Sequence, residues 1–136
     1  SKEYPATLKL NKLKNNHLIL NRLNKVNLKT IKVKHGNVKS NCFIINKKLA
    51  YISDVNEIYN KDYKYFKNLE YLIIDCLRYN FHPSHFNLES VLNLINLFKP
   101  KKSILTNLHT DLDYNVLKNR LPKNVVPAYD GLSINF

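Results

Sequence analysis

The chain has 136 residues, of which 44% are hydrophobic, and it carries a formal net charge of +12. This composition is enough to build one packed core and excludes a disordered protein. No apolar run approaches the roughly 18 residues of a membrane span, and the amino terminus lacks the apolar core of a signal peptide, so we expect a soluble protein with no membrane partner.

The positive charge comes mostly from lysines scattered among many asparagines, with arginine only at Arg22, Arg78 and Arg120. Nucleic-acid surfaces usually concentrate arginine and interleave stacking aromatic residues, so this pattern favours solvated lysine-rich faces and leaves nucleic acid as the less favoured partner. Cys42 and Cys76 each lie within an apolar run, which indicates reduced thiols in the core and a cytoplasmic protein.

The first half of the chain has the pattern of short strands joined by turns. Asn46-Lys47-Lys48 predicts a hairpin turn between two of these strands. The predicted strands are Ala6 to Leu10, His17 to Leu20, Leu28 to Lys34, Asn41 to Ile45 and Leu49 to Ser53.

The second half alternates strands and helices, which is typical of an α/β layer. Asn87 is a good N-cap, Glu89 lies in the first turn behind it, and Pro100 follows the end of the helix. The predicted elements are a strand from Tyr71 to Asp75, a helix from Leu88 to Phe98, a strand from Ser103 to Thr106, a helix from Tyr114 to Arg120, and extended segments at Val125 to Val126 and Leu132 to Phe136. No linker or repeat divides the sequence, which predicts one domain, or a contiguous piece of one, over residues 1–136.

Four of the five histidines lie next to the ends of predicted strands, where α/β proteins place their functional sites: His35, His82, His85 and His109. Their spacing matches neither a zinc finger nor HExxH, so spacing alone is a weak sign of a metal site. The alternatives are structural. Asp54 could cap a turn, Asp75 could simply end its strand, and Tyr129 could be a turn residue before Gly131.

Four motifs, in order and spacing, resemble those of metallo-β-lactamase-fold phosphodiesterases. Leu49-Ala50-Tyr51-Ile52-Ser53-Asp54-Val55 resembles "aYitDv", and His35-Gly36 with the strand Cys42-Phe43-Ile44-Ile45 resembles "HG…GyR". Asp75-Cys76-Leu77-Arg78-Tyr79 with His82-Pro83-Ser84-His85-Phe86 is similar to "DaLR…HPSHFS", and Pro127-Ala128-Tyr129-Asp130-Gly131-Leu132 to "PAYDGL". The resemblance covers about Tyr4 to Phe136 and is strongest to proteins like phosphoribosyl 1,2-cyclic phosphate phosphodiesterase, with tRNase Z a more distant relative.

The resemblance implies a fold and leaves part of the site unaccounted for. The fold would be α/β, the carboxy-terminal half of an αββα sandwich, with a mixed, mostly antiparallel sheet and helices packed on one face. The HxHxDH motif of the family is absent, and the sequence has no methionine and begins at Ser1, so we expect that a preceding half is missing. The family's "LTH" is Leu105-Thr106-Asn107 here, with His109 two residues later.

The implied chemistry is hydrolysis of a small cyclic or diester phosphate by a hydroxide that bridges two divalent metal ions, zinc or manganese. His35, Asp54 and His109 would be metal ligands, with Asp54 bridging the two ions and also counted as catalytic. His85 would act as general acid or phosphate contact, because an imidazole can donate a proton near neutral pH. The residues expected to contact substrate or orient ligands are His82, Asp75 and Tyr129.

Two other functions remain open, a tRNase Z-like ribonuclease and a metal-binding or partner-binding fragment without activity. With three candidate ligands, the chain by itself is expected to bind metal poorly and to be inactive. The sheet face that the missing half would cover should favour association, for which a homodimer is one form.

Overall fold

The computed structural model of the chain describes residues 11–13, 16–20 and 25–136. The predicted strand from Ala6 to Leu10 lies outside these residues. Among the described residues, no helix is both long and apolar enough to cross a membrane.

The described residues form one mixed sheet in which the spatial order of the strands is their order along the chain. The first three ladders are antiparallel and the last three are parallel. The strands are β1 (Asn16–Leu20), β2 (Lys25–His35), β3 (Val38–Ile45), β4 (Leu49–Ile52), β5 (Tyr71–Asp75), β6 (Lys102–Thr106) and β7 (Val125–Pro127). Helix α1 (Leu88–Phe98) connects β5 to β6, helix α2 (Tyr114–Arg120) connects β6 to β7, and a 3₁₀ helix (Asn60–Tyr65) follows β4.

Both predicted helices are confirmed with their bounds, because their caps are local signals. The Asn87 side chain accepts a hydrogen bond from the backbone N–H of Ser90, and Asp113 does the same for Val116. The predicted turn after β3 is also present, with Asn46 and Lys47 in the left-handed region. The 3₁₀ helix was not predicted, because its sequence, NKDYKY, buries no residue and so has no apolar periodicity.

Of the two carboxy-terminal segments predicted to be extended, Val125 to Val126 lies in β7, whereas Leu132 to Phe136 belongs to no strand. The last hydrogen bond to β6 is donated by Ala128 to Leu105, and the chain then turns. The Leu132 N–H closes that turn on the Tyr129 carbonyl, so the residues beyond it have no strand to pair with.

One face of the sheet carries the core, and both helices pack on that face. Alternate residues of each central strand are buried there, as the period-2 geometry of a strand requires. The buried strand residues are Ile31, Val33, Cys42, Ile44, Ala50, Ile52, Leu72, Ile74 and Leu105; α1 adds Val91, Ile95 and Phe98, and α2 adds Leu117. Burial of each Val, Leu, Ile or Phe side chain in this list stabilises the fold by about 1.5–3 kcal/mol relative to leaving it exposed.

The opposite face of the sheet is also apolar but is not part of this core. The register places five residues along one line across β3 to β7: Phe43, Tyr51, Ile73, Ile104 and Val126. None of the five belongs to the core cluster; Tyr51 is 39% exposed, whereas Ile104 is buried. This second face therefore has the composition of a surface that packs against another layer.

We predict that Phe98→Ala lowers the free energy of unfolding by about 3–5 kcal/mol, measured by urea denaturation. Phe98 is 1% exposed and packs on Phe66 and Tyr63 with ring centroids 5.4 and 5.1 Å away, so its loss leaves a cavity. Phe81→Ala is the matched control, because Phe81 is 77% exposed; it should change the value by less than about 0.5 kcal/mol. Equal effects of the two substitutions would mean that Phe98 is not in the core.

We also predict that neither cysteine of the folded chain reacts with a disulfide reagent such as Ellman's reagent from about pH 7 to about pH 9. Both thiols are free and buried. Burial, with a smaller contribution from Asp62, raises the pKa of Cys42 far above its ordinary value, and burial with nearby Asp75 raises the pKa of Cys76 to about 12. A raised pKa means that the reactive thiolate is absent throughout this range. Both thiols should react once denaturant is added, and fast labelling without denaturant would contradict the structure.

Candidate metal centre

The candidate site lies at one edge of the sheet because four strands run in the same direction. β4, β5 and β6 are parallel, and β2 shares their direction because it is separated from β4 by one antiparallel strand. Their carboxyl ends therefore meet at one edge. His35 ends β2, Asp75 ends β5, Asp54 follows β4, and Asn107 follows β6.

Among the described residues, His35, Asp54 and His85 form a group whose ligand atoms all lie within 4.8 Å of one another. The Nε2 atoms of His35 and His85 are 3.2 Å apart, with the two rings inclined by 70°. Two imidazole nitrogens bound to one tetrahedral zinc ion, each about 2.0–2.1 Å from it, would lie about 3.3–3.4 Å apart. The two histidines and the carboxylate thus fit a divalent metal ion in both donor type and spacing.

Asp54 reaches this group through an unusual backbone conformation. Its φ of 53° lies in the left-handed region, which a short polar side chain tolerates better than a branched one. The Ser40 hydroxyl donates to its carbonyl oxygen at 2.6 Å and holds the turn. Among the described residues, the Asp54 carboxylate has a hydroxyl contact with Ser53 at 3.5 Å and no bond from a backbone N–H. The carboxylate is exposed and does not cap the turn, which was the structural alternative for this residue.

Asp75 is fully buried and orients His85. Its Oδ2 lies 2.7 Å from His85 Nδ1, and the same oxygen accepts from the Val55 backbone N–H at 3.3 Å. Its Oδ1 accepts from the Asn107 side-chain amide at 3.0 Å. Because an ionised carboxylate can only accept, His85 Nδ1 must carry the hydrogen, and its Nε2 then faces His35 with a free lone pair. A carboxylate that fixes the tautomer of a ligand histidine in this way is usual in metal sites.

The distance between His35 and His85 depends on a close approach of two loops. Gly36 has a φ of +58°, and a Cβ added there would lie 3.1 Å from the Cβ of Ser84. Its N–H donates to the Asn56 side chain at 2.8 Å. On the other side, the Phe86 N–H donates to the Val55 carbonyl at 2.8 Å. The loop that carries His85 is therefore held both to the turn after β2 and to the loop that carries Asp54.

His82 is a neighbour of the group and not a member of it. Its ring centroid is 5.2 Å from that of His85, and its Nδ1 accepts from the Ser84 backbone N–H at 3.3 Å. Desolvation, with the positive charge of Arg78 and the neighbouring His85 imidazole, lowers the pKa of His82. Arg78 also supports this loop, because its guanidinium donates to the Phe81 carbonyl at 2.7 Å.

The structure does not place His109 or Tyr129 in the group. His109 Nδ1 lies 2.9 Å from Asp111 Oδ1 and 3.5 Å from the Asp111 backbone N–H, which donates to it, and the side chain is 58% exposed. The role of His109 as a ligand stays a prediction. Tyr129 is 56% exposed and packs edge-on against Tyr114, with ring centroids 6.3 Å apart.

Two features of the site were not foreseen from the sequence. His85 was expected to act as a general acid, whereas the geometry puts its Nε2 among the ligand atoms. Asn107, at the position of the family's histidine, binds the carboxylate of Asp75. The one available signal was that Asp75 and Asn107 both come at the carboxyl ends of neighbouring parallel strands, which brings their side chains close.

No protein-family model matches the chain, and no curated protein matches it in sequence. Solved structures do match. A diphosphatase from the PhnP family has a TM-score of 0.87 at 23% identity, over 99% of this chain and 52% of the other. Human tRNase Z, short form, gives 0.62 at 15% identity, over 89% of this chain and 46% of the other.

A third match is the metallo-β-lactamase fold protein YhfI from Bacillus subtilis, with a TM-score of 0.69 at 14% identity, over 88% of this chain and 53% of the other. The chain thus spans about half the length of each of these three structures. Identities this low establish the fold alone. The chain has the fold of one half of a metallo-β-lactamase-fold protein, and over nearly its whole length it resembles a diphosphatase of the PhnP family.

Proposed function

We propose that this chain forms half of a metal-dependent phosphodiester hydrolase. The observation that supports this best is the pair of Nε2 atoms of His35 and His85, 3.2 Å apart, with the carboxylate of Asp54 in the same group. The structural neighbours include a diphosphatase and tRNase Z, both hydrolases by name. We carry their general reaction class over to this chain as part of the proposal.

His35, Asp54 and His85 would hold one divalent ion. Imidazole nitrogen and carboxylate oxygen suit zinc and manganese, and neither sulfur atom of the chain is at the site, since both cysteines are buried in the core. When bound, such an ion polarises a phosphoryl oxygen and makes a coordinated water more acidic. A second ion would use His109, backed by Asp111, together with ligands from an HxHxDH motif in a preceding half.

His85 cannot act as a metal ligand and as a general acid at the same time. Its Nδ1 is committed to Asp75, so only Nε2 is available. A nitrogen whose lone pair binds a metal ion cannot also carry the proton that a leaving group needs. The close approach of Nε2 to His35 favours the ligand role. Asp75 is then the residue that positions this ligand and excludes its wrong tautomer.

A small cyclic or diester phosphate is the substrate class that we propose. A tRNase Z-like ribonuclease is the second candidate, and the +12 net charge together with the fold of human tRNase Z supports it. Against it, residues 36–53 consist of two tight turns, β3 and β4, with no arm inserted to grip RNA. A binding fragment without activity is the third candidate, since three donors are fewer than two ions require.

We further propose that the second face of the sheet, with Phe43, Tyr51, Ile73 and Val126, packs against the half that carries HxHxDH. A face of this composition would otherwise be left to water or to a second copy of the chain as a homodimer. A cytoplasmic location is also part of the proposal, and it rests on the two free, buried thiols.

We predict that His85→Ala weakens zinc binding by at least about tenfold in isothermal titration calorimetry. Removing a ligand should cost no less than removing a residue that orients one, which typically costs about 10- to 100-fold. His17→Ala is the matched control, because His17 lies in β1, at the far end of the sheet from β5, and should leave zinc affinity unchanged. If the two variants bind zinc equally well, His85 is not a ligand and its role as a general acid becomes the better assignment.

We also predict that the 136-residue chain alone hydrolyses bis(p-nitrophenyl) phosphate no faster than background. A longer protein in which an HxHxDH-bearing half precedes the chain should hydrolyse it in the presence of manganese or zinc, because both ions then have a full set of ligands. Asp54→Ala in the longer protein is the control for contaminating activity and should abolish turnover. Metal-dependent hydrolysis by the short chain would contradict the ligand assignment, and an inactive longer protein would contradict the proposed function.

A further inference from the structure

A second concave site lies away from the metal centre, between the first three strands and the 3₁₀ helix. We call it the lysine-rimmed cavity. Its volume is about 600 Å³, and the residues that line it include four lysines, Lys29, Lys47, Lys64 and Lys67, and the apolar residues Leu18 and Ile44. Lys29 and His35 are six residues apart on β2, so the cavity and the metal centre are separated by about 20 Å. The function proposed above uses none of these residues.

The described lining of this cavity is strongly positive. No acidic side chain is among the described residues that line it. Elsewhere in the described part of the chain, Lys34 pairs with Glu57, and Lys48 and Lys101 pair with Glu70. None of the four lysines of the cavity is in such a pair, so an anion in the cavity would meet four ammonium groups and no carboxylate among the described lining residues.

Two of the rim lysines are held close together on one aromatic ring. The Nζ atoms of Lys29 and Lys64 lie 4.4 and 5.2 Å from the centroid of Tyr65, so they are at most about 10 Å apart. Asn16 further fixes Lys29, since its Oδ1 accepts from Nζ at 3.4 Å. Each of these ammonium groups would attract an anion that comes within the Debye length, which is about 8 Å at physiological salt.

The apolar part of the lining indicates which kind of anion would fit. Leu18 and Ile44, which lie on the same face of the sheet as Lys29, offer apolar surface that a bare inorganic anion would not use. Sites for small organic ligands are concave, largely apolar, about 300–1,000 Å³ in volume, and orient the ligand with a few polar groups. Lysine ammonium groups bind phosphate as point charges. We propose that the lysine-rimmed cavity binds a small organic phosphate with a planar or apolar body, of which a mononucleotide is the simplest example.

The test is titration of adenosine 5′-monophosphate into the chain by calorimetry, with EDTA present so that no metal ion can hold the phosphate. The chain should bind the nucleotide, and Lys29→Gln with Lys64→Gln should weaken binding at least about tenfold, because two charge-assisted contacts are lost. The matched control is Lys32→Gln with Lys39→Gln. It removes the same charge from exposed positions on β2 and β3 outside the cavity, and should change affinity less than about twofold.

Lys47→Glu provides a second variant that does not disturb packing, because Lys47 is exposed in the turn after β3. It should also weaken nucleotide binding, while the circular dichroism spectrum stays that of the parent chain. Adenosine and inorganic phosphate, tested separately, should each bind at least about tenfold more weakly than the nucleotide.

Four results would overturn the proposal. The first is no binding of the nucleotide by the parent chain. The second is that both double substitutions weaken nucleotide binding equally, which would mean that net charge alone explains the effect. The third is that inorganic phosphate binds as tightly as the nucleotide, and the fourth is that single-stranded RNA binds more tightly and depends equally on both pairs. None of these measurements requires hydrolysis or a metal ion, so the outcome is independent of the proposed function.

Discussion

The buried carboxylate of Asp75 connects the parts of this structure that matter for its chemistry. A carboxylate without water is costly to bury unless its oxygens receive hydrogen bonds. Asp75 receives them from three different segments: the loop after β4, the loop after β5 and the residue after β6. Each of these hydrogen bonds therefore holds one segment of the candidate site against the end of β5.

Because of this arrangement, the orientation of the site residues depends on the parallel half of the sheet. β5 lies between β4 and β6, so the end of β5 is the one position from which a short side chain can reach both neighbouring loops. The core beneath it is dense, with Ile74 and Cys76 fully buried on either side of Asp75 in the sequence. A rigid strand end and a fully bonded carboxylate together give His85 a single orientation, which is what a metal ligand needs before the ion arrives.

The sequence was sufficient to predict elements whose signals are local, and insufficient to predict contacts between segments far apart in the chain. Asn87 and Asp113 mark the starts of both helices, and the alternation of buried residues marks the central strands, so these elements were predicted well. The resemblance in sequence pointed to His35 and Asp54 as ligands and to His85 as a general acid or phosphate contact near them. The direct approach of His85 Nε2 to His35 was not predicted, because it depends on a Gly36–Ser84 contact between loops 48 residues apart, and no pattern in one sequence encodes such a contact. The same holds for Leu132 to Phe136, which the sequence predicts to be extended but which pairs with no strand among the described residues.

The agreement between strand order and chain order has a consequence for how this molecule folds. Each described strand pairs only with the strands before and after it in sequence, so the sheet can grow from one end without waiting for a distant segment. Topologies with such local pairings close small loops and fold faster than those with long-range pairings. The β1–β4 meander, with turns of only a few residues, is the segment expected to form early. The parallel strands come later, because β5 and β6 can pair only after the connection through α1 has closed. The loops that carry His85 and Asn107 lie in that later half, so the edge of the sheet with the candidate metal centre would be among the last parts of the chain to become ordered during synthesis.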